Sequence, residues 1–87
     1  MRTLLCVICT TEEQFEVLIE AAMAGPRSYP TGGVAFLCAV VEPLPSGDLR
    51  WHTWQDFRTE TEARSYVWQH IPVNTTVKHI TFEEMMK

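Results

Sequence analysis

The chain has 87 residues, enough for a single domain over 1–87, and with 46% hydrophobic and 10% aromatic residues it is too apolar for disorder. Seven Lys and Arg against eleven Asp and Glu give a net charge of −4, which argues against a sequence-independent nucleic-acid binder with its basic surface. No apolar run approaches the roughly 18 residues that cross a bilayer, the N-terminus does not read as a secretory leader, and three cysteines without framework spacing suit a reducing compartment, so a cytoplasmic domain is expected.

Thr3–Cys9 is a continuous apolar run, too short for a helix and typical of a strand buried on both faces. Thr10 or Thr11 then offers a helix cap, with capping-box spacing from Thr10 to Glu13. Phe15, Leu18, Ile19, Ala22 and Met23 follow at the spacing of an amphipathic helix, and Gly25-Pro26 ends it. Pro26–Gly33 reads as a loop. Val34–Glu42 is a second strand apolar on both parities, Pro43–Asp48 a hairpin connection, and Leu49–Phe57 a third strand. Thr59-x-x-Glu62 repeats the capping-box spacing and opens a second helix, with Ala63, Tyr66, Val67 and Ile71 on its buried stripe and Pro72 at its end. Thr75–Glu83 reads as a fourth strand with Ile80 and Phe82 on one face, and Met85–Lys87 as a frayed tail.

The order β-α-β-β-α-β is that of the ferredoxin-like fold. It implies a four-stranded antiparallel sheet, order 4-1-3-2, with both helices on one face and the other face open. Along the third strand, Leu49, Trp51 and Phe57 share a parity and are assigned to the helix side. Arg50, His52, Trp54 and Asp56 fall on the open face unless a bulge intervenes. Either parity of the first two strands leaves an apolar patch there, and such patches usually mark interfaces.

Chemistry-bearing motifs are sparse. Cys6-x-x-Cys9 lies within a strand rather than at a helix N-terminus, and no second Cys/His pair accompanies it, so core packing is favoured over redox or zinc chemistry. His70 is placed at the end of the second helix, where an imidazole suits the dipole, while His52 and His79 lie on strands that could share a face. No spacing supports catalysis by them. Aromatic Trp54 would suit base stacking, but the RNA-recognition signature is missing and the charge has the wrong sign. No cofactor, metal or catalytic set is assigned, and no family motif is carried.

These readings converge on a non-catalytic protein–protein interaction module, an adaptor or an inhibitor of the size that viruses and mobile elements encode. Its expected contacts are Arg50, His52 and Trp54 on the open face, Trp68 and Tyr29 as secondary anchors, and the acidic stripe Glu12, Glu16 and Glu20 on the first helix. The partner would be a second copy or another protein. The alternative is a dimeric α+β barrel with a small apolar ligand between two packed sheets and His52 in its pocket.

Overall fold

The two runs apolar on both parities lie side by side at the centre of one sheet. In a computed structural model that describes residues 2–26 and 36–87, they form β1 (Arg2–Cys9) and β3 (Phe36–Pro43), paired antiparallel. The other elements are α1 (Glu12–Ala21), β2 (Ala22–Met23), β4 (Leu49–Phe57), α2 (Glu60–Arg64), β5 (Thr75–Thr81) and α3 (Phe82–Met85). The described residues thus give a five-stranded mixed sheet, order β2-β4-β3-β1-β5, with three short helices. β3 is antiparallel to both its neighbours, whereas β1 with β5 and β2 with β4 are parallel.

This arrangement overturns the ferredoxin-like assignment, and the reason is physical. That fold places the third strand in the middle beside the first. Here the third strand (β4) carries Arg50, Gln55 and Asp56, all exposed, so it lies outside β3, which is buried on both faces from Leu37 to Glu42. The changed order also separates the helices. β1 and β4 run parallel, but their crossovers to β2 and β5 travel in opposite directions across the sheet. Right-handed crossovers of opposite direction put their helices on opposite faces. Phe15 and Leu18 of α1 pack with Val7, Cys9, Ala39, Val41 and Trp51, joined by Phe82 and Met85 of α3. Ala63 of α2 packs on the reverse side with Leu4, Cys6, Ile8, Cys38 and Val40, joined by Tyr66 and Trp68. The central strands therefore have no open face, and the apolar patch expected there is covered by the chain itself.

Strand three contains the bulge that decides its tryptophans. The β3–β4 register runs Val40 to Thr53 and then Val41 to Trp51, which leaves His52 as the extra residue. Trp54 opposite Ala39 and Trp51 opposite Val41 consequently face the same way, onto α1, with ring centroids 6.1 and 5.4 Å from Phe15. The expected separation of the two indoles is lost, and Phe57, assigned to the same side as Trp51, lies on the α2 side instead.

The caps explain the helix starts. Thr11, one of the two capping candidates, is the N-cap of α1 and accepts from the Gln14 amide at 3.2 Å, while the Gln14 side chain accepts from the Thr10 amide at 2.9 Å. Thr59 caps α2 as its spacing predicts, accepting from the Glu62 amide at 3.2 Å. Thr81 does the same for α3, so Phe82 begins a helical turn rather than ending a strand, and Met85 packs on the core. α2 stops at Arg64, far short of Pro72. The Ser65 hydroxyl donates to the Thr61 carbonyl at 2.9 Å, and the following Tyr66, Val67 and Trp68 lose rotamer freedom in a helix. His79 Nε2 donates to the Tyr66 carbonyl at 2.6 Å and holds this irregular segment on β5. Likewise α1 ends at Ala21, since Ala22 and Met23 pair with Leu49 and Arg50 of β4. The loop assigned to Pro26–Gly33 and the start of the second strand at Val34 lie outside the described residues, apart from Pro26.

Candidate functional site

On the α2 face, a carboxylate inside β3 collects polar contacts from two other side chains. Glu42 is only 9% exposed. Its two oxygens accept from Arg2 Nη2 at 2.7 Å and Arg2 Nε at 3.1 Å, a bidentate pair joining the ends of β1 and β3. His52 Nε2, turned to this face by the bulge, lies 3.1 Å from the same carboxylate. These bonds, Arg2 foremost, hold the Glu42 carboxyl down at about 2. The Trp68 ring stands 5.5 Å from His52 and 6.2 Å from His70. With one nitrogen on Glu42 and an indole against its ring, His52 is a structural tie between β4, β3 and the segment after α2. Gln55, Tyr66, Val67, Trp68, Gln69 and His70 border an open depression of about 270 Å³ beside it.

The expected residues do not converge on one surface. Arg50 is exposed beside the short edge strand β2, and His52 and Trp68 meet on the α2 face. Trp54 is on the reverse face, half-buried against Phe15. His79 is on the α2 face like His52, but β3 and β1 intervene between their strands, about 14 Å at sheet spacing, and its partner is Tyr66. His70 lies six residues beyond the end of α2, so it caps nothing there. Tyr29 lies outside the described residues. Sequence reasoning missed the Arg2–Glu42 pair, although a glutamate closing an apolar central strand signals a required partner.

The thiols are core. Cys6 and Cys38 hydrogen-bond on the α2 side, and Cys9 lies on the α1 side. The bond to Cys6 and burial push the Cys38 thiol up, and burial alone pushes Cys9 to about 12. Cys6 pairs with Val40 and Cys38 with Ile8, so the two are diagonal neighbours, separated by about 7–8 Å between Cα atoms and too far for an unstrained disulfide. Among the described residues no three His, Cys, Asp or Glu side chains gather to hold a metal. No helix there is long and apolar enough to cross a membrane.

The remaining candidate is α1. Glu12, Glu13, Glu16 and Glu20 are all exposed on it, and the helix has no basic residue. These four account for the chain's whole net charge of −4, leaving seven acidic and seven basic residues elsewhere. Val17 sits among them, 43% exposed, beside an open groove of about 360 Å³ that Glu13 and Phe82 also line. Comparison with protein-family models, with curated proteins and with solved structures returns no match for this chain.

Proposed function

We propose that this chain is a non-catalytic protein–protein interaction module, an adaptor or inhibitor, that docks on a basic protein surface through the outer face of α1. The observation that carries the reading is the confinement of the entire net charge to one ten-residue helix. A single-signed face of this kind steers encounter with a complementary surface and repels like-charged ones. Val17 supplies an apolar centre within the charged surround, the usual layout of an interface core and rim. The charges also work against the helix itself. Glu12, Glu16 and Glu20 repel at i+4 spacing, and Glu20 lies in the last turn, where the dipole favours cations. A second copy is a poor partner for this face, since a two-fold contact sets carboxylates against carboxylates.

The test uses the double variant Glu13→Lys/Glu20→Lys. Proteins captured from a lysate of the source organism by wild type and by the variant are compared, and the leading captured protein is purified for titration calorimetry. The expected result is a basic partner whose affinity falls at least tenfold on charge reversal and also falls between 0.15 and 0.5 M salt. Affinity indifferent to both changes sinks the reading.

A further inference from the structure

Where α1, α2 and α3 begin, the molecule carries a groove that the acidic face of α1 continues into. β1, β4 and β5 are parallel, so their C-terminal ends share one edge of the sheet, and each leads into a helix through a threonine cap. Two recesses open near this edge. The smaller, about 140 Å³, has Ile8 at its floor with Thr10, Glu60 and Glu83 around it. The larger, about 360 Å³, is lined by Glu13 and Val17. Gln14 and Phe82 line both, so the recesses are adjoining halves of one trough with Phe82 as its shared apolar wall.

We infer that the partner presents an extended cationic segment to this trough, with an apolar side chain against Val17 and Phe82 and a lysine or arginine side chain in the recess between Thr10, Glu60 and Glu83. The inference rests on the docking reading above and adds the form of the partner. Three features select the occupant. First, the smaller recess pairs an apolar floor with carboxylates around it, which suits a side chain with an aliphatic stem and a charged head. Second, the sign of the charge is decided. Only α1, with ten residues, is long enough to add a sizeable positive end, and against it stand Glu13, Glu60 and Glu83 on the lining, with Arg64 of α2 meeting Glu60 at 3.5 Å. The amides of Gln14, Glu62 and Glu84 already donate to the capping threonines, so an anion meets carboxylates and spent donors. Third, Glu13 belongs both to the trough and to the α1 face, so one segment can engage the two continuously.

The probe is a fluorescein-labelled hexapeptide of alternating lysine and leucine, with a lysine–serine hexapeptide as comparison, followed by polarisation and by amide shifts in ¹⁵N spectra. The lysine–leucine peptide is expected to bind saturably, at least fivefold tighter than the serine version, with the largest shifts at Thr10, Gln14, Val17 and Glu83. Glu60→Gln/Glu83→Gln and, separately, Val17→Ser are each expected to weaken it at least fivefold. Equal affinity for both peptides, or shifts confined to the outer face of α1, overturns the trough assignment. The purified partner from the capture experiment separates the two readings. Loss of its binding in Glu13→Lys/Glu20→Lys, with full binding in Glu60→Gln/Glu83→Gln and Val17→Ser, keeps the acidic helix and rejects the trough. Indifference to charge reversal rejects the docking reading itself.

Discussion

Replacing Glu42 by Gln keeps the side chain's shape and removes the charge on which Arg2 and His52 converge. The wild-type carboxyl titrates near 2 in the folded chain against 4.5 as its ordinary value. A depressed folded-state value means that the unfolded chain takes up the proton first. The stabilisation is therefore complete above about 4.5 and is lost as pH falls through 2. Two and a half pH units at about 1.4 kcal/mol each give an upper bound near 3 kcal/mol. The Arg2 side chain is 42% exposed, so solvent screening brings the expected contribution to about 2 kcal/mol. Urea unfolding followed by tryptophan fluorescence, run on both proteins at pH 7, 5, 4 and 3, reads this directly. Glu42→Gln should be less stable by about 2 kcal/mol at pH 7, with the gap closing steadily below pH 4.5. The other carboxylates cancel in the difference. A gap that stays constant from pH 7 to 3 refutes the assignment of the low carboxyl to the Arg2 and His52 bonds.

Other substitutions probe the sheet and the helix. Glu20→Lys removes one i+4 repulsion and puts a cation in the last turn of α1, so thermal unfolding should show a gain of about 0.3–1 kcal/mol together with weaker partner binding. Trp51→Ala should cost about 3–5 kcal/mol, because the indole is 8% exposed and edge-on to Phe15, whereas half-buried Trp54→Ala should cost clearly less; the ranking reverses if the register lacks its bulge. Light scattering at 0.05 and 0.5 M salt should give a monomer of 10.0 kDa in both, since the central strands are covered on both faces and α1 repels its copy. A salt-resistant dimer would mean that covering is insufficient.

What sequence pattern reveals here is local. The apolar runs of β1 and β3, the spacing of Phe15 and Leu18, the turn before Asp48 and the caps at Thr11 and Thr59 each depend on neighbours within a few residues and are found in the structure, although Pro43 ends β3 and the capping pair expected at Thr10 and Glu13 is replaced by Thr11 and Gln14. Strand order depends on pairings between distant segments, and a familiar element sequence supplied the wrong one. The residues themselves argue against it: two strands apolar on both parities belong together in the middle, and β4 with Arg50, Gln55 and Asp56 does not. Thr81-x-x-Glu84 likewise repeats the spacing that marked α2, yet strand alternation through Ile80 and Phe82 masked the turn it begins. The bulge at His52 left no such trace. Inserting one residue into β4 sends Trp54 to the α1 side and leaves His52 with Glu42, so the expected Arg50–His52–Trp54 surface was divided by a register step that pattern alone does not encode.

The acidic helix can carry its charges because its inner face fixes it. Phe15 and Leu18 are fully buried, and each contributes about 1.5–3 kcal/mol relative to exposure. Each i+4 glutamate repulsion costs only a few tenths of a kcal/mol. Burial exceeds repulsion by roughly an order of magnitude, so the fold tolerates the charges on the outer face. Residues there can be set by something other than stability, and on this helix they carry four carboxylates and no cation around an exposed valine. The α2 face shows the opposite balance. Its histidine and tryptophan are tied to Glu42 and to each other, and those ties hold an irregular segment over the sheet. Aromatic and titratable side chains, the usual signposts of function, are on this face consumed by structure.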